Sequence, residues 1–308
     1  VITCAPDDVS LFIQHPDIVG VSFVGSSETG ARVYAEAAAE GKRVQVLGEA
    51  KNHALVMADC ALERTAAGII NAFCGCAGQR CMALPVVVAE EPVADALVRL
   101  LREKAAHLKL GPAYDKNTTL GPLVSASRRK NVLDWIGRGI REGAELVLDG
   151  RGISVPGYEN GFFIGPTLFD HVTPGMSIGE QEIFGPVLCI KRVRNFEEGL
   201  SVMNANPFAN GSVIYTQNGR YAREFTRRTH GGMVGVNVGI PVPVCSFGFT
   251  GHKRSFFGDL HTMGTDGVRF YTEKKTVTST WFEDGHRGIV DTWDGTLGSL
   301  SENSGKRN

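Results

Sequence analysis

The sequence predicts an α/β protein. Three observations carry that expectation. Short β-branched runs alternate with helix-patterned segments, the first run opens a strand–loop–helix unit, and 308 residues at 43% hydrophobic composition can fill roughly two cores without staples. Internal repeats and low-complexity tracts do not interrupt the alternation.

The run at 19–24 (VGVSFV) is apolar and β-branched, GSSETG follows, and an Ala-rich helix over 31–40 stops at Gly41. Strands are expected at 43–47 and 54–57, and apolar spacing predicts a helix over 63–74. PVVVAE at 85–90 reads as a buried strand, and 93–108 as an amphipathic helix halted before Gly111-Pro112. A second long helix is expected over 125–142, closed by Gly143. Beyond it the chain turns β-rich, with strands at 145–148, 162–164, 187–193, 212–215 and 234–238. Residues 240–268 read as loop, 268–278 alternates as an exposed or edge strand would, and the polar stretch after Trp281 reads as a disordered tail.

Charge and composition narrow the function classes. Lys plus Arg (32) balances Asp plus Glu (33) with no long basic run, so no general affinity for nucleic acid or an anionic membrane is expected. Charged residues or glycine interrupt each apolar segment before it reaches the roughly 18 residues of a membrane span. Seven scattered cysteines, an odd number, fit a reducing compartment better than a disulfide framework. A soluble protein of a cytoplasm is therefore expected, with a mitochondrial matrix as the alternative.

Two segments offer chemistry. In GSSETG, a glycine-bounded turn entering a helix leaves backbone N–H groups free for an anion such as a phosphate, or is an ordinary strand-to-helix turn. It is not a P-loop, because Ala31-Arg32 stands where Lys and Ser or Thr are required. Cys81, in Phe73-Cys-Gly-Cys-Ala-Gly-Gln-Arg-Cys81, follows a small-residue loop beside a guanidinium, where positive charge and backbone donors are expected to favour a thiolate.

Other matches carry less. Cys74-Gly75-Cys76 has no second pair or spaced histidines, so no metal is expected. Ser177 sits in a GxSxG string, but Thr173-Pro174 precedes it where a nucleophile elbow needs a strand. His53 reads as structural. Glu182, two residues before Phe184 in EQEIFGPV, is either a solvated loop acid or an acceptor for two ribose hydroxyls with the ring against a flat heterocycle.

Taken together, FVGSSETG, GQRC, EIFGPV, SFGFTGHKRS and FYTEKKTVT, in that order, resemble the aldehyde dehydrogenase superfamily over about residues 1–282. Within it, AKNH at 50–53, GQRCMA at 78–83, GYENG at 157–161 and NVGIPVP at 237–243 are similar to the CoA-acylating methylmalonate-semialdehyde dehydrogenases. The resemblance implies an aldehyde dehydrogenase-like α/β fold: the later part of a Rossmann-type NAD-binding domain over 1–49, an α/β catalytic domain over 50–255, and a loop with an oligomerisation strand over 256–282. The family's first cofactor strands, its adenosine-ribose contacts and an oxyanion asparagine correspond to sequence upstream of the matched region.

By the same resemblance Cys81 is the nucleophile on a small-molecule aldehyde. Arg80 binds a substrate carboxylate, Glu182 the nicotinamide ribose, Phe184 the nicotinamide, and Gly25, Ser26 and Gly30 the pyrophosphate of NAD. Hydrolytic relatives carry a glutamate where this chain has Leu47, and leucine cannot take a proton. The acyl-enzyme is then expected to leave by transfer to coenzyme A as co-substrate, with loss of carbon dioxide from a malonate-type acyl group. Glu49 departs from the family's glycine; a hydrolytic enzyme using it as base is one alternative, and an inactive assembly subunit is another. A homodimer or homotetramer is implied, joined through 268–278.

Overall fold

The computed structural model describes residues 1–279 and 281. Residues 1–272 form one compact unit, and the described residues from 273 onward carry no helix or strand. The tail expected over 283–308 lies outside the described residues.

A short helix α1 (Val9–Gln14) leads into β1 (Gly20–Val24), α2 (Ser27–Ala39) and β2 (Arg43–Leu47). β1 and β2 pair in parallel, placing Val24 beside Leu47. The Ser26 side chain caps α2 by accepting the Thr29 N–H. Buried Gly30 belongs to this packing, because a Cβ there would overlap Val46 of β2.

Next come β3 (His53–Val56), α3 (Leu62–Cys74), β4 (Val86–Glu90), α4 (Glu91–Ala106), α5 (Ala126–Arg141), β5 (Glu145–Leu148), β6 (Thr167–Asp170) and β7 (Val187–Val193). The chain continues through α6 (Phe196–Ala205), β8 (Phe208–Ala209), β9 (Gly211–Tyr215), α7 (Gly219–Arg228) and β10 (Met233–Val236). It closes with β11 (His252–Lys253), β12 (Phe256–Phe257) and α8 (Gly264–Phe270).

Seven strands form one sheet in the order β10-β9-β3-β4-β7-β6-β5, parallel except for the β5–β6 pair. Its central strands are buried along their length, as parallel strands covered on both faces must be, which is why VVVAE lacks alternation. Leu97, Leu101, Phe73 and Ile69 from α4 and α3 are fully enclosed, each worth roughly 2 kcal/mol of burial. β12 crosses to the other sheet and pairs antiparallel with β2, giving the order β1-β2-β12.

Several expectations are corrected. The strand expected at 162–164 is loop; the ladder forms at β6 instead, where TLFD is buried on both faces and pairs with β7. α6 and α7 occupy segments to which the sequence reading assigns no element. α6, capped by Asn195, buries Phe196, Leu200 and Met203 at helical spacing, a short stripe the sequence already carried, whereas α7 buries only Phe225 and shows no such stripe. The strand expected at 268–278 is also absent among the described residues: 268–270 are the end of α8. Arg43 donates to the carbonyls of Arg269, Phe270 and Thr272, meeting the open end of that helix. An alternating segment becomes a strand only with a ladder partner, and the described residues of this chain supply none there.

Candidate active site

The loop that carries Cys81 is built by three consecutive left-handed residues. After α3, Cys76 (φ 52°), Ala77 (φ 54°) and Gly78 (φ 71°) reverse the chain, although two of them carry a Cβ that disfavours this region. Side chains lock the turn. Asn52, next to β3, donates to the carbonyls of Cys81 (2.9 Å) and Ala83 (2.7 Å) and accepts the Gly211 N–H (2.7 Å). Asn210 adds a second donor to the Cys81 carbonyl at 3.1 Å. Gln79 accepts the Val124 N–H at 2.9 Å, tying the loop to the segment that leads into α5.

The second wall is the turn at 182–185. Glu182 accepts the Ala50 N–H at 3.2 Å, and Phe184 adopts φ 57°, a costly conformation for an aromatic residue. Arg128, on α5, donates to the Ile183 carbonyl at 3.0 Å and sets its guanidinium carbon 5.9 Å from the Phe184 ring centroid. Burial pushes the Glu182 carboxyl up to about 7; the Ala50 N–H opposes this, the Glu49 charge reinforces it, and Lys51 and Arg128 oppose it.

These walls enclose a cavity of about 710 Å³. Cys81, Arg80, Glu182, Phe184, Gly25 and Ser26 all line it. Gly30 is not part of the lining, and its Cα packs so tightly that a Cβ would overlap Val46 of β2. Two charged residues join the lining: Glu49, from the β2–β3 connection, and Arg128. Nothing in sequence marks Arg128, because it lies on a helix whose charged face gives no sign of the turn it meets. Ile240, Val242 and Phe249 supply an apolar side from the loop read as irregular.

The electrostatics differ from the expected thiolate. Burial pushes the Cys81 thiol up, the Cys81 and Met82 N–H groups draw it back, and nearby Glu182 raises it further, even though the residue is open to solvent. Arg80 does not compensate: its Nη2 donates to the Asn71 (2.7 Å) and Ala72 (3.5 Å) carbonyls at the end of α3. Its buried Nε has no partner among the described residues. The thiol therefore holds its proton at neutral pH until an acceptor arrives.

The other candidates resolve into structure. Cys74 is buried and its thiol raised by that burial, while Cys76 is exposed. Ser177 follows a turn, and both its hydroxyl and the Ile178 N–H bond to Glu142, so no elbow forms. His53 is buried, with burial holding it well below the usual imidazole range; Nδ1 meets the Lys51 carbonyl at 2.6 Å, and Nε2 is unpartnered among the described residues. Lys51 is also buried and lowered by that burial, and it donates to the Ile178 carbonyl at 2.8 Å.

Comparison with known proteins follows the same geometry. The aldehyde dehydrogenase family profile matches residues 1–277. The chain is 47% identical over 274 residues to malonate-semialdehyde dehydrogenase 1 of Oceanobacillus iheyensis, covering 89% of this chain and 56% of that protein. It is 48% identical over 270 residues to malonate-semialdehyde dehydrogenase of Pseudomonas aeruginosa, covering 87% and 54%. Methylmalonate-semialdehyde dehydrogenase of Oceanimonas doudoroffii superposes with TM-score 0.89 at 43% identity, covering 91% and 58%. A Sinorhizobium meliloti structure described under the same enzyme name, in complex with NAD, superposes with TM-score 0.88 at 47% identity, covering 89% and 56%. The chain thus spans about half the length of the curated relatives it matches. No helix among the described residues is long and apolar enough to cross a membrane.

Proposed function

Because this chain belongs to the aldehyde dehydrogenase family, we propose that its cleft serves the NAD-dependent, CoA-acylating oxidation of malonate or methylmalonate semialdehyde. The observation that carries this is the meeting of Cys81, Arg80, Glu182, Phe184 and Ser26 around one cavity of about 710 Å³. The residues present fit a nicotinamide dinucleotide. Glu182 accepts one backbone N–H and has acceptor capacity to spare for ribose hydroxyls, Phe184 offers a ring, and the amino end of α2 lies at the cavity beside Ser26.

Cys81 adds to the aldehyde carbonyl to form a thiohemiacetal, and its thiol proton must go to an acceptor as the S–C bond forms. When bound, NAD supplies the hydride acceptor that turns this adduct into a thioester. The loop bonds from Asn52 and Asn210 keep the Cys81 backbone still while the sulfur reacts. Arg80 and Arg128 both line the cavity, and two guanidinium groups there favour an aldehyde that carries a carboxylate. Leu47 stands at the end of β2 in place of a general base, so water is poorly activated and a thiol is the productive acyl acceptor. Transfer to coenzyme A then frees Cys81, with the carboxylate lost as carbon dioxide. Seven free thiols support a reducing compartment such as a bacterial cytoplasm. A homodimer or homotetramer completes the proposal.

The test supplies malonate semialdehyde and NAD and follows reduced cofactor with and without coenzyme A. The expected result is about one equivalent of reduced cofactor without the thiol, steady turnover with it, and neither in Cys81→Ala. Steady turnover without coenzyme A overturns the acylating assignment, and activity in Cys81→Ala overturns the nucleophile.

A further inference from the structure

We propose that Glu49 is a built-in competitor for the cofactor diphosphate, its carboxylate holding the amino end of α2 that a dinucleotide would occupy. The inference rests on the dinucleotide reading above and adds what sets the affinity.

The contact is reciprocal and fixed from both sides. Ser27 donates its N–H to Glu49 Oε2 at 3.1 Å, while the Glu49 N–H donates to Ser27 Oγ at 2.9 Å. Ser27 Oγ in turn donates to the Arg254 carbonyl at 2.8 Å, and Ser255 Oγ donates to the Glu49 carbonyl at 2.6 Å. The half-buried carboxylate is thus pinned rather than swinging in solvent. It sits on a thirteen-residue helix whose first N–H groups have no intrahelical partner and favour an anion. Ser26 cannot take over, because its Oγ already caps Thr29.

Glu49, Gly48, Ser26, Gly25 and Cys81 line the same cavity, so the internal anion stands inside the cleft rather than on a remote surface. An incoming diphosphate must displace this carboxylate from the Ser27 N–H or share the donor with it, and two anions at one donor repel. The Glu49 charge also reaches Glu182, linking the diphosphate end of the cleft to the ribose acceptor.

Calorimetric titration with inorganic diphosphate and, separately, with NAD tests this on the wild-type chain, Glu49→Gln and Glu49→Gly. Thermal melts first identify which variants fold. Gln retains an acceptor for Ser27 without the charge, and Gly removes both. Both ligands are expected to bind the variants about tenfold tighter. Diphosphate binding no tighter in a folded variant than in wild type overturns the proposal. Equal NAD affinity in all three proteins likewise overturns it, while leaving the dinucleotide reading intact. Tighter diphosphate binding with no NAD binding anywhere supports the competitor and overturns the dinucleotide reading.

Discussion

Gly78 packs its bare Cα against the peptide of Gly185, so closely that a Cβ at Gly78 would overlap the Gly185 carbonyl. That approach joins the Cys81 loop to the Glu182–Phe184 turn. Gly78→Ala therefore carries two costs: a left-handed φ of 71° and the overlap. Gly143→Ala is the control, since its φ is 89° with open space around the added Cβ. The Gly78 variant is expected to lose about 2–4 kcal/mol in urea denaturation, against about 1 kcal/mol for the control. Equal losses would mean that the two loops are not held together at this point.

Glu182 makes stability depend on pH in a defined direction. Its carboxyl titrates near 4.5 when unfolded and about 7 when folded, because burial disfavours the charge. The folded state therefore binds the extra proton in between. This stabilisation is complete below about pH 4.5 and is lost as pH rises through about 7. The stability difference between wild type and Glu182→Gln should decline across that window by at most about 1.4 kcal/mol per pH unit. A flat difference would show that the carboxyl is solvated. Under the proposed ribose contact the ionised carboxylate is the stronger acceptor, so wild-type affinity for NAD should strengthen over the same range.

Asn52 is 3% exposed and carries three bonds, to Cys81, Ala83 and Gly211. Asn52→Ala leaves the Gly211 N–H and the Ala83 carbonyl without this partner, while Asn210 still serves the Cys81 carbonyl. The expected loss is about 3 kcal/mol by chemical denaturation, with a smaller loss for Asn210→Ala. The reverse order would place the support of the loop on Asn210 instead.

Legibility in the sequence followed distance along the chain. Residues of GQRC, EIFGPV and GSSETG line one cavity, and each motif could be picked out because it keeps its candidate residues within a few positions, where turn chemistry and spacing are local. Gly30 marks the limit of such local reading: a glycine opening a helix reads alike whether it faces a phosphate or gives room to a packed neighbour, and only the fold shows that a Cβ there would meet Val46. Arg128, Asn52 and Asn210 carried no such mark. Their importance lies in which remote carbonyl each one meets, and periodicity along a helix or strand does not name that partner.

By itself the sequence determined the α/β alternation, the buried central strands and the candidate nucleophile, since these follow from side-chain volume, apolar period and covalent chemistry. Only the tertiary structure decided the charge state and company of the site. It turned Arg80 onto the end of α3, left the Cys81 thiol protonated, brought Arg128 over Phe184 and set Glu49 on the Ser27 N–H. The physical reason is that burial and Coulomb interactions depend on distances in space, and folding fixes those distances between residues that the chain keeps far apart.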